Sequence, residues 1–147
     1  MTEALTHSQA DVVRYLLIGQ SLGTLPSASG AWPISVGMEL DTPDNTITVY
    51  NTQGKLQGRI QTTGEAVEQY GVQIRIRSTT DQVGFVKANS IRTTITETVY
   101  QNTVAIGASN YLVHSLLLAS SVLPLGRDTS SNRFLHTINV LVNLRQL

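Results

Sequence analysis

The side chains that most often carry chemistry are sparse in this 147-residue chain: three histidines, ten acids and no cysteine. His7, His114 and His136 do not sit at a metal-ligand spacing such as two histidines four apart on a helix. Gly19, Gly23 and Gly30 do not form a phosphate loop, because no strand precedes them and no Lys-Ser or Lys-Thr pair follows. There is no Gly-x-Ser-x-Gly nucleophile elbow. The acids are dispersed, so no carboxylate pair for acid–base work can be named. One combination remains, His114 and His136 with Asp128, which would serve a small hydrolase or ligand-binding domain if the fold brought them together. A lone histidine on a strand is more often packed or solvated. The chain therefore reads as non-enzymatic, with no catalytic, cofactor-binding or metal-ligating residue to name.

Arginines carry the stronger pattern. In residues 72–77, Val72, Ile74 and Ile76 alternate with Gln73, Arg75 and Arg77, the period of a half-buried strand. Thr79 with Gln82 three residues later fits a helix capping box. A strand with two guanidinium groups on its polar face thus runs into a helix. Arg75 and Arg77 lie about 7 Å apart on that face. Either they form a solvated face paired with acids on the next strand, or they pair with carboxylates and carbonyls of another subunit, which the planar guanidinium suits better than lysine. Contact with DNA is the weaker reading, since only two lysines, Lys55 and Lys87, add to the dispersed arginines.

The elements that position these residues follow from hydrophobic period. Ser8 with Asp11, or Thr6 with Gln9, caps a first helix over about residues 9–18, whose Val12, Val13, Leu16 and Leu17 form one stripe. Gly19 and Gly23 end it, and residues 21–30 have the composition of a flexible loop. Ile34, Val36 and Met38 alternate. Pro43-Asp44-Asn45 supplies turn chemistry, and Ile47 with Val49 makes the partner strand of an expected β-hairpin. Residues 51–54 turn the chain again, and residues 55–64 read as an exposed loop. After residues 72–77, a helix over about residues 80–97 places Gly84, Ala88, Ile91 and Ile95 on one face. Phe85 and Val86 fall off it, either as scattered surface hydrophobes or as contacts with another chain. Residues 111–119 are apolar on both faces and suit a central strand, although periodicity does not separate that from a buried helix. Residues 124–133 read as a polar loop. Residues 134–144 alternate over about 36 Å, long against the usual strand. The expected fold is α+β: a mostly antiparallel β-sheet flanked by an N-terminal helix and a central helix, in one domain over residues 1–147.

Composition narrows the function classes. Formal net charge is zero, so the basic excess of a nucleic-acid-binding domain is missing. Only 14% of residues are charged, against the usual ~25%. Such a surface does little to repel copies of itself, which favours a protein that meets partners. The absence of cysteine agrees with assembly in a reducing compartment. No apolar run reaches the ~20 residues of a membrane helix, and residues 1–4 lack the basic and apolar regions of a signal peptide.

Several of these segments recur as an ordered set. They are the amphipathic first helix, Trp32-Pro33-Ile34, the Pro43-Asp44-Asn45 turn before Ile47-Thr48-Val49-Tyr50, and Val72-Gln73-Ile74-Arg75-Ile76-Arg77 with its helix. Pro124-Leu125-Gly126-Arg127-Asp128, Arg133 and the last strand through Asn139 complete it. In this order, over most of the chain, the sequence resembles the tail terminator or minor capsid proteins of long-tailed bacteriophages. Each piece is short and unspecific alone. The polar insertion at residues 55–64 departs from the pattern.

The resemblance implies a structural virion protein of the tail and neck, assembled in the host cytoplasm. Six copies would form a ring that caps the tail tube, stops its polymerisation and presents a surface to the neck of the head. Implied partners are other copies of the chain, the tail tube protein and neck or head completion proteins, with double-stranded DNA passing through the ring unbound. It implies no cofactor and no membrane. The interface candidates are Arg75, Arg77, Phe85, Val86, Arg127, Asp128 and Arg133. Alternative roles are a head completion protein, another neck component, or a tail-tube subunit.

Overall fold

A computed structural model describes residues 5–59, 61–62 and 66–147. Residues 1–4, and residues 60, 63 and 64 of the expected loop, lie outside the described set. The chain is α+β. Helix α1 spans Gln9–Gly19, and Ser8 caps it by accepting the Asp11 amide. Strands β1 (Ile34–Val36), β2 (Thr46–Arg59) and β3 (Ala66–Ser78) follow. Helix α2 (Asp81–Thr93) runs into a π-helical turn at Thr94–Thr98. Strands β4 (Asn102–Ile106), β5 (Ser109–Leu118), β6 (Leu123–Asp128) and β7 (Arg133–Gln146) complete it.

The strands form one sheet in the order β1-β2-β3-β7-β5-β4, with β6 paired to the other part of β7. Both helices lie on one face. Along β7 the even residues from His136 to Leu144 are buried beneath them, as are Ile47 and Val49 of β2 and Val72, Ile74 and Ile76 of β3. Helix α1 touches β1, β2 and β3 near one end of the sheet and β4 at the other, so the sheet curls around it. The stripe Val12, Val13, Leu16 and Leu17 fills that concavity. Antiparallel sheets commonly pack one face and leave the other to water.

The predicted face of α2 holds: Gly84, Ala88, Ile91 and Ile95 are all buried. Its cap is one residue later than the capping-box reading, with Thr80 Oγ1 accepting the Val83 amide at 3.2 Å. Gly84 is where α2 meets the sheet. A Cβ there would stand 2.4 Å from Ser78 Oγ and 2.7 Å from His136 Nδ1, so only glycine lets the helix approach this closely.

Four expectations are corrected. Ile34–Val36 and Thr46–Arg59 are not a hairpin. They pair in parallel, Ile34 opposite Ile47 and Val36 opposite Val49, and residues 37–45 cross back between them. Residues 51–54 do not turn the chain. β2 continues through them to Arg59 and forms the true hairpin with β3. Glycine there marks close approach rather than a turn: a Cβ on Gly54 would lie 1.9 Å from the Gln69 carbonyl oxygen, and one on Gly71 would lie 2.4 Å from that of Gln53. The described part of the 55–64 loop is mostly strand, with register shifts after Thr52 and Leu56. Finally, half of the polar loop at 124–133 is strand β6 and Arg133 opens β7, leaving only a short turn at residues 129–132. The last strand is longer than its period suggested, 14 residues, and it collects β3 on one edge and β5 and β6 on the other.

Candidate subunit interface

On the face of the sheet without helices, the arginines of β3 meet an acidic strap. Residues 37–45 lie over Arg75 and Arg77. Arg77 is 6% exposed and donates to three strap carbonyls: Pro43 at 2.8 Å, Asp44 at 3.3 Å and Asp41 at 3.4 Å. Arg133, next to Leu135 and Arg77 across the sheet, grips the same strap. It reaches the Asp44 carboxylate at 2.8 Å and the Asp41 carbonyl at 2.8 Å. Glu39 stands 3.5 Å from Arg75 and 4.0 Å from Arg77. Arg75 also lies over the Tyr50 ring at 5.4 Å.

Burial pushes the Arg77 guanidinium below its ordinary value, and nearby Arg133 adds to this. Glu39, Asp44 and Asp41 oppose both. A guanidinium stays charged through such a shift and suits the fork of carbonyls it meets. Arg77 and Arg133 are therefore bound within their own chain, and of the β3 pair Arg75 is the more exposed. The sequence does hold a signal for this strap: Glu39, Asp41 and Asp44 fall in one loop, against Arg75, Arg77 and Arg133 on two strands that pair.

Arg127 and Asp128 lie at the tip of the β6–β7 hairpin. Asp128 accepts from the Ser130 amide at 3.0 Å and from the Ser130 and Ser131 hydroxyls at 2.8 and 3.0 Å. Those hydrogen bonds hold its carboxyl below the usual range. Arg127 donates to Asn132 at 3.0 Å. Both residues are exposed and shape the tip. β6 itself is exposed along its whole length, with Leu123 and Leu125 open to solvent.

The outer side of α2 also carries exposed apolar side chains. Val83, Phe85 and Val86 are 40, 47 and 55% exposed. Val83 and Val86, one turn apart, line an open groove of about 350 Å³ with Trp32 and Lys87. The Lys87 ammonium lies 5.2 Å from the centre of the Trp32 ring, and burial pushes it below its ordinary value. Sequence period located Phe85 and Val86 but missed Val83 and Trp32. Trp32 comes from a distant loop that no local pattern ties to α2.

The histidines are apart. His136 is buried under α2, with Nε2 at 3.5 Å from Asp81. His114 lies at the irregularity of β5 opposite Asn143 and Leu144, about 25 Å along β7 from His136 at the usual rise. Asp128 is at the hairpin tip. The trio His114, His136 and Asp128 is not assembled. His7 bonds the hydroxyl of buried Tyr111 at 2.7 Å through its ring, and at 2.9 Å through its amide, which ties the N-terminal segment to β5. No group of three potential metal ligands occurs among the described residues. No described helix is long and apolar enough to cross a membrane. Comparison with protein-family models and with curated proteins finds no match for this chain.

Proposed function

We propose that the chain is a structural virion protein, a tail terminator whose six copies form a ring on the end of the tail tube. The observation that carries this reading is the outer side of α2. Its inner face is buried, yet Val83 and Val86 stand in water beside Trp32, and Phe85 is exposed on the same helix. Exposed apolar side chains that line one groove mark contact with another protein. The ordered resemblance to tail terminator proteins supplies the class of partner. The low charge supports close packing of copies, and the zero net charge suits a passage that DNA traverses without binding. Tail tube protein on one side of the ring and neck proteins on the other are its proposed contacts.

Removing the gene tests the role. Particles made without it are expected to carry overlong or unstable tails. The wild-type chain restores normal length, and a chain with Phe85→Asp and Val86→Asp does not, although both positions are exposed and the monomer folds. Full heads beside separate tails of normal length would instead assign a head completion role. Long tubes formed by the purified chain alone would assign a tube subunit.

A further inference from the structure

Three of the open backbone edges of the described sheet differ in how they are protected. β6 is blunted: Pro124 offers no amide hydrogen, and the pairing slips between Pro124 and Gly126, whose φ is 82°. The outer edge of β2 is covered by β1 only from Ile47 to Val49, and it loses regular register after Thr52. β4 is short and the end of α1 stands beside it, but it carries no residue that interrupts pairing. It reads Asn-Thr-Val-Ala-Ile, with no proline, no charge and an unbroken register against β5. Strands that must remain single are normally interrupted by such features.

The surroundings of β4 are shaped for an added strand. Asn102, Thr103, Val104 and Ala105 together line a groove of about 270 Å³ whose other wall is the end of α1 at Gly19 and Gln20. Successive strand residues point to opposite faces, so four in a row line one groove through their backbone edge. Open space stands where a Cβ on Gly19 would be.

We infer that the β4 edge is where a second copy of this chain pairs, and that the strand it contributes is β2 at residues 50–52. These residues, Tyr50, Asn51 and Thr52, are the regular part of the β2 edge left uncovered by β1, and they are uncharged like β4. Thr103 and Thr52 both lie on the helix-free face, Thr103 through its pairing with Leu112 and Thr52 in series with Thr48 and Tyr50. β4 is the last strand at one end of the sheet and β2, beyond the short β1, is exposed at the other, so the contact is head to tail. Such a contact closes a ring when the rotation per copy is right. The inference rests on the ring reading above and specifies which edges join.

The chain has no cysteine, which makes cross-linking clean. A double variant, Thr52→Cys with Thr103→Cys, is expected to give a ladder of disulfide-linked copies under mild oxidation, and each single variant none. Thr103→Lys alone is expected to raise the concentration of half-assembly about tenfold by placing a charge on the joining edge. Mixing it with Thr52→Glu copies restores assembly, because each lysine then meets a glutamate. A wild-type chain that forms a ring, with a double-cysteine variant that gives no ladder and assembly indifferent to Thr103→Lys, overturns the edge assignment and leaves the ring standing. A wild-type chain that stays monomeric overturns both.

Discussion

Gly54→Ala lowers the unfolding free energy by about 3 kcal/mol, the upper end of the usual cost of forcing atoms into a packed site. The added Cβ would stand 1.9 Å from the Gln69 carbonyl oxygen. That atom belongs to the backbone of the paired strand, so no rotamer change relieves the clash and the β2–β3 ribbon has to open. Gly19→Ala is the matched control. Nothing lies within 4 Å of its Cβ position, and the residue is the last of α1. Alanine is the better helix former, so that change is neutral or slightly stabilising. Urea unfolding of the three proteins checks the pair. Equal midpoints for Gly54→Ala and wild type would show that the two strands do not cross this closely.

Arg77→Ala comes next, with an expected loss of about 3 kcal/mol. The guanidinium is 6% exposed and satisfies carbonyls of Asp41, Pro43 and Asp44. Removing it leaves those acceptors beneath the strap without donors and empties the space its stem fills. Arg77→Lys recovers only part of the loss, because a single ammonium cannot span the three carbonyls. Arg127→Ala is expected to stay within about 0.5 kcal/mol, as surface substitutions do. Chemical denaturation compares them. If Arg77→Ala were as mild as Arg127→Ala, the strap would not depend on that side chain.

These two residues also show what the sequence could and could not disclose. Alternation correctly put Val72, Ile74 and Ile76 inside and the two arginines on the other face. It had no means of showing that residues 37–45 fold over that face, because side-chain period defines faces and is silent about what covers them. The same limit explains the mistaken hairpin. Ile34 with Val36 and Ile47 with Val49 alternate equally well in parallel and antiparallel pairs, and Pro43-Asp44-Asn45 looks like turn chemistry in either case. Gly54 reads as a turn in the sequence because its neighbours are Asn, Thr and Gln, whereas its use is close backbone approach. β6 was invisible for a different reason: it buries no residue, so no hydrophobic period marks it.

Where one face is strongly buried, the reading was accurate. The α1 stripe, the Gly84–Ala88–Ile91–Ile95 face and the even residues of β7 from His136 to Leu144 are buried, while Phe134 at the start of that strand is only half-buried. The same periodicity isolated Phe85 and Val86 as residues without an inward place. Their company, Val83 and Trp32, needed three dimensions.

Native mass spectrometry of the purified full chain over a concentration series tests the central claim, that copies of this chain close into a ring. The account predicts a discrete species at six times the 16.0 kDa chain mass, without longer polymers. Monomer alone at every concentration would contradict it.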